Sequence, residues 1–220
     1  MKKLILVVLV GVCQMFFSQT AEQIIEKNIQ STGGLTQWKL LNSIMLQGKV
    51  VLGVSEEYPV KIFQQRPNLK KTSFTIKGKE YAIEGFDGEK GYSMNFATNK
   101  LVEVKDYVAE SFDTDFIDYD SKGFVANYLG KEKIGNVDCF KVELVKNVNK
   151  TVYYFDANTY MLVREINKTD ILTYYDYRKV GNLLMPFRIE SSSQKKEGDY
   201  VLLFSKIEVN KVFPNNTFKF

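Results

Sequence analysis

The sequence predicts a mainly β protein with a helical lid, an α+β chain whose antiparallel strands curl into a barrel or half-barrel. Three observations lead there. Roughly a dozen segments alternate apolar and polar residues with period two, the turns between them are short, and one amphipathic stretch interrupts the series in mid-chain. Short connections exclude βαβ units, which need a crossover of about a dozen residues or more. A sheet this wide rarely stays flat, so it is expected to curl.

Residues 1–18 stand apart from that pattern. Lys2 and Lys3 give a basic start, Leu4 to Val12 is an apolar run broken only by Gly11, and Ser18-Gln19-Thr20-Ala21 is small and polar. The run is too short for a membrane span of about 20 residues and reads as a secretory signal peptide cut after Ser18. The mature chain, 19–220, is then one exported domain. A lipid anchor on Cys13 is the lesser expectation, because the bulky Val12 stands where such a cut needs a small residue. Cys139 is left as the sole mature cysteine, a core thiol with no disulfide partner.

The mature chain opens helical. Thr20 and Gln23 have capping-box spacing, Ile24, Ile25 and Ile29 share a face, and Gly33-Gly34 ends the helix. A short turn over 35–41 carries Trp38, Leu40 and Leu41. Strands are expected over 43–52, 57–65, 69–76, 79–86 and 90–95. From Asp106 to about Tyr119, Val108, Phe112 and Phe116 recur every four residues among acidic neighbours, which predicts an amphipathic helix. Strands resume over 124–130, 137–145, 150–155, 160–166, 170–178, 183–190 and 199–209. The helix is placed to cover the concave side of the sheet.

Composition narrows the function. The chain has 220 residues and no histidine, which removes Ser-His-Asp and Cys-His nucleophiles and His-containing zinc sites. Lys2 and Lys3 account for two of the 30 basic residues, leaving 28 against 26 acidic ones, too balanced a surface for nucleic acid. Asp113, Asp115, Asp118 and Asp120 lack calcium-loop spacing, so no metal or cofactor is expected. Thirteen tyrosines and 16 phenylalanines, several of them adjacent, put rings on both faces of the sheet. They either fill a large core or line an interior that takes an apolar ligand.

An ordered set of short motifs gives the sequence a family likeness. Arg66-Pro67-Asn68-Leu69 closes one strand, Asp87-Gly88-Glu89-Lys90-Gly91-Tyr92 turns into an aromatic strand, and Phe213-Pro214-Asn215-Asn216-Thr217-Phe218-Lys219-Phe220 follows the last strand. With Gly33-Gly34, Trp38 and Gly135-Asn136-Val137-Asp138-Cys139-Phe140, this set resembles the LolA-like outer-membrane lipoprotein-sorting family over 19–220. The resemblance implies a half-open antiparallel barrel whose hydrophobic cavity is lidded by helices. It also implies a non-catalytic, monomeric carrier that shelters the acyl chains of lipoproteins or related lipids. An inner-membrane donor complex and an outer-membrane acceptor would be its partners. The alternative is a sensor or interaction module of the same fold.

Apolar alternates on the strands and the lid face supply the expected cavity residues. These are Leu46, Val60, Ile62, Phe74, Tyr81, Ile83, Tyr92, Met94, Val142 and Leu144, with Val108, Phe112 and Phe116 from the lid. By the same resemblance, Arg66 is the latch that donates hydrogen bonds to the lid. Lys70-Lys71 and the missing C-terminal extension depart from the family's pattern and leave the cargo open.

Overall fold

The computed structural model describes residues 19–53, 55–193 and 198–220; the expected signal peptide, with Cys13, lies outside the described residues. Helix α1 (Ala21–Ser31) begins on a complete capping box, with Thr20 Oγ1 accepting from the Gln23 amide at 3.3 Å and Gln23 Oε1 accepting from the Thr20 amide at 3.2 Å. Gly33 follows with φ of +129°, and a Cβ there would lie 2.5 Å from the Asn182 carbonyl oxygen. That close approach docks the helix end on the sheet, where the Leu184 amide donates to the Thr32 carbonyl at 2.9 Å. Helix α2 (Leu35–Lys39) is a single turn.

Among the described residues, thirteen strands form one open sheet. The first six are β1 (Ser43–Leu52), β2 (Glu56–Gln65), β3 (Leu69–Ile76), β4 (Lys79–Phe86), β5 (Gly91–Asn95) and β6 (Lys100–Val104). The other seven are β7 (Val125–Ile134), β8 (Val137–Lys146), β9 (Asn149–Asp156), β10 (Leu162–Ile166), β11 (Asp170–Val180), β12 (Leu183–Ser193) and β13 (Tyr200–Val209). The spatial order runs β6 to β1, then β13 down to β7, so every neighbour is antiparallel and only β1–β13 joins strands distant in sequence. β6 and β7 remain as free edges. The chain between them therefore has to cross the sheet.

That crossing segment corrects the expected lid helix. Residues 105–124 form turns and irregular backbone, with Asp106 and Asp118 at φ of +55° and +51°. Its Asp, Ser and Thr side chains compete for local backbone groups, which opposes helix formation despite the apolar spacing. The segment still covers the inner face. Asp113 reaches Arg66 at the end of β2, while Asp115, two residues on, reaches Tyr153 of β9. Six strand spacings would hold β2 and β9 about 29 Å apart in a flat sheet, so the sheet is curled.

Two apolar clusters fill the concave side. Under α1, Ala21, Ile24 and Ile25 meet Phe140, Val142, Leu144, Tyr153 and Phe155, with Phe116 of the crossing segment closing the group. The second cluster joins Leu41, Ile44, Phe187, Phe204 and Ile207, with Leu46, Ile62 and Phe112 packed against it. On the opposite face, Phe213 meets Phe63 edge-on at 5.4 Å and Phe220 stacks on Tyr92 at 4.8 Å. Gly85 has no room for a Cβ because the Phe220 ring and the Lys70 carbonyl of β3 occupy that space.

Candidate functional site

Between the crossing segment, α1 and the β9–β12 part of the sheet lies a cleft of about 600 Å³. Phe112, Phe116, Ile117, Ile29, Leu162 and Leu184 supply its apolar lining. The polar lining comes from the strands and the crossing segment together. Tyr153 Oη donates to Asp115 Oδ2 at 3.0 Å, Tyr174 Oη donates to Glu165 Oε2 at 3.0 Å, and Tyr177 Oη donates to the Leu162 carbonyl at 2.9 Å. Burial pushes the phenol pKa values of Tyr153, Tyr174 and Tyr177 far up, so all three stay protonated donors. Burial also raises the Glu165 pKa, against the lowering effect of the Tyr174 hydroxyl.

Arg66 sits at the cleft's edge and ties three elements. Its Nε donates to the Leu41 carbonyl at 2.6 Å and Nη2 to the Trp38 carbonyl at 3.2 Å, both at the C-terminal end of α2. Its two terminal nitrogens form a bidentate pair with Asp113, each at 2.5 Å, and the guanidinium carbon lies 4.9 Å from the Phe112 ring centroid. A planar fork of donors suits carbonyls and a carboxylate at once. Nearby, Lys70 Nζ pairs with Glu84 at 2.8 Å and Glu110 at 3.0 Å. Burial opposes the Lys70 charge, but the two carboxylates together outweigh it and its pKa rises.

The expected site residues fall into separate places. Phe112 and Phe116 line the cleft. Leu46 and Ile62 pack on the second cluster beneath Phe112, and Val60, Phe74 and Tyr81 occupy that same face in register. Val142 and Leu144 are fully buried beneath α1 and fill core, not cleft.

Three further assignments are corrected. Val108 is 85% exposed, since without a helix its spacing does not bring it to Phe112. Tyr92 and Met94 lie on the opposite, outer face. The cause is a bulge between Thr72 and Ser73 in the β3–β4 pairing, which leaves Ile83 unpaired and inverts the side-chain alternation beyond it. Tyr92 is consequently opposite Gly85 and against Phe220.

Sequence reasoning missed Asp115, Tyr153, Glu165, Tyr174 and Tyr177 as cleft residues. The adjacent Tyr153-Tyr154 and Tyr174-Tyr175 pairs were the available signal, because adjacent rings must point to opposite faces. Among the described residues no group of three or more metal-ligating side chains assembles, and no helix is long and apolar enough to cross a membrane.

No family model matches the sequence, and no curated protein matches it. Solved structures do. A domain from Vibrio parahaemolyticus assigned to outer-membrane lipoprotein sorting superposes with a TM-score of 0.59 at 12% identity, covering 90% of this chain and 95% of that one. A DUF1329 family protein from Desulfovibrio piger gives 0.61 at 10% identity, covering 92% and 98%. A LolA superfamily protein from Nitrosomonas europaea gives 0.58 at 13% identity, covering 92% and 99%. These likenesses extend over nearly the whole of both chains, and the protein has the LolA-like fold, an open, curled antiparallel sheet.

Proposed function

We propose that this protein is a non-catalytic periplasmic carrier that shelters acyl chains of lipoproteins or related lipids in the cleft and releases them when the crossing segment lifts. The observation that carries the reading is the cleft itself. Its volume lies in the range of ligand sites, and one wall, residues 110–117, is an irregular segment held across the sheet by side-chain contacts. A carrier is needed because each exposed methylene costs about 0.8 kcal/mol, or on the order of 11 kcal/mol for a chain of about 14 methylenes. Arg66 serves as the latch in this reading. Its contacts are polar and reversible, as hand-over requires.

Similarity to a domain assigned to lipoprotein sorting supports the same cargo class. A donor complex at the inner membrane and an acceptor at the outer membrane would then be the partners. The test is native and denaturing mass spectrometry of the chain exported to a bacterial periplasm and purified without detergent. Co-purifying acyl lipid or lipoprotein is the expected result. A ligand-free mass that takes up no added acyl lipid would sink the reading. An interaction module would then lead, with the free β7 edge and its exposed Val125 and Leu129 as the surface to probe.

A further inference from the structure

The cleft has a sign. None of the side chains lining it is a lysine or arginine. Two of its carboxylates already have cations, Asp113 from Arg66 and Glu110 from Lys70. Asp115 instead has the Tyr153 hydroxyl and Glu165 the Tyr174 hydroxyl and the Asn167 side chain, which use part of their acceptor capacity and none of their charge. Around them stand the rings of Phe116 and Tyr177, while the Phe112 ring already faces the Arg66 guanidinium. Aromatic faces and carboxylates both attract a cation, and both disfavour a carboxylate or phosphate head.

We propose that the cleft selects amphiphiles whose head carries an ammonium group, with the nitrogen at the Asp115–Glu165 wall and the chain along the Phe112, Phe116 and Leu184 side. The proposal rests on the carrier reading for the chain and adds the chemistry of the head. An ammonium brings three donors to lone pairs that Tyr153, Tyr174 and Asn167 leave free. The raised pKa of Glu165, caused first by desolvation and added to by the nearby Asp115, accords with a half-buried carboxylate whose hydrogen-bond partners, Tyr174 and Asn167, are neutral.

Two sources present this chemistry: a lipid amine, and the free amino terminus of a diacylated lipoprotein. Displacement of a neutral fluorescent probe from delipidated protein, near neutral pH, compares dodecylamine, dodecanol and dodecanoate. Dodecylamine should bind about tenfold tighter than dodecanoate. Asp115→Asn and Glu165→Gln should each remove most of that preference, with dodecanol affinity unchanged within about twofold. Near-UV circular dichroism of each variant checks that the fold persists.

A diacylated lipopeptide is then compared with its N-acetylated form. Preference for the free amino terminus supports the proposal with a lipoprotein source. Equal binding of the two, with dodecylamine still preferred over dodecanoate, supports it with a lipid amine. Dodecanoate binding as tightly as dodecylamine, or a preference that survives both substitutions together, overturns it. Failure of all three amphiphiles to displace the probe would instead count against the carrier reading itself.

Discussion

Glu165 is a costly residue for the sheet to keep. Burial in the cleft wall pushes its pKa above the usual 4.5, and the Tyr174 hydroxyl offsets that only in part. Between pH of about 4.5 and the raised value, the folded chain holds a proton that the unfolded chain has released, so stability falls as pH rises through that window. Glu165→Gln should therefore melt higher than the parent near pH 7.5, with the gap largely closed by about pH 3.5, where both forms of the parent are mostly protonated. A gap equal at both pH values would locate the effect elsewhere. Arg66 presents the opposite case. Its side chain and that of Asp113 are 27% and 23% exposed, so the pair is shielded enough to matter. Arg66→Lys keeps the charge and loses the fork, and a loss of about 1–2 kcal/mol in denaturant unfolding is expected. An unchanged midpoint would mean that α2 and the crossing segment are held by packing alone.

At the scale of elements, the crossing segment and the strands should separate in hydrogen exchange. Backbone bonds along residues 106–117 are sparse, among them Phe112 to the Pro67 carbonyl and Ile117 to the Thr114 carbonyl, both at 3.3 Å. Amides there should exchange orders of magnitude faster than those of β1, β2 and β8, and bound ligand should slow them. The two phenylalanines of the segment differ in role. Phe116 is 7% exposed among Tyr153 and Phe155, so Phe116→Ala should cost about 3–5 kcal/mol. Phe112→Asp should weaken lipid uptake while leaving the sheet folded, which circular dichroism and probe displacement together would check.

The same segment marks where the sequence stops being legible. Strands such as 43–52, 69–76 and 79–86 could be read to the residue, because alternation and turn residues are local signals. The edge strand β6 escaped, being five residues long with no buried position. The helix expected over 106–119 failed because apolar spacing of four residues does not outweigh a run of aspartates and a backbone at positive φ. Face assignments held their parity from Leu46 through Tyr81 and then inverted at the β3–β4 bulge, which no periodicity reveals. Of the cleft, Phe112 and Phe116 were readable as apolar residues. Asp115 and Glu165 were not, since only the curl of the sheet brings β10 and the crossing segment together.

Across the whole molecule, the two faces of one sheet divide the work, and the division can be tested. The concave face holds the cleft; the outer face of β2 to β5 is strapped by residues 211–220. Phe213 packs on Phe63 and Phe218, Phe220 stacks on Tyr92, and Lys71 Nζ stands 5.6 Å from the Phe220 ring centroid. Gly85 is what lets the strap lie flat, because any side chain there would meet the Phe220 ring. Deleting 211–220 should cost about 3–5 kcal/mol of ring burial, or roughly 10 °C in melting temperature for a chain of this size. Gly85→Leu should cost at least as much with the strap itself intact, because a side chain there meets both the Phe220 ring and the Lys70 carbonyl. Because neither change touches the concave side, lipid uptake below the melting range should persist in both variants, with probe displacement as the readout. Loss of uptake in a folded, truncated chain would mean that the strap sets the curl of the sheet and, through it, the shape of the cleft.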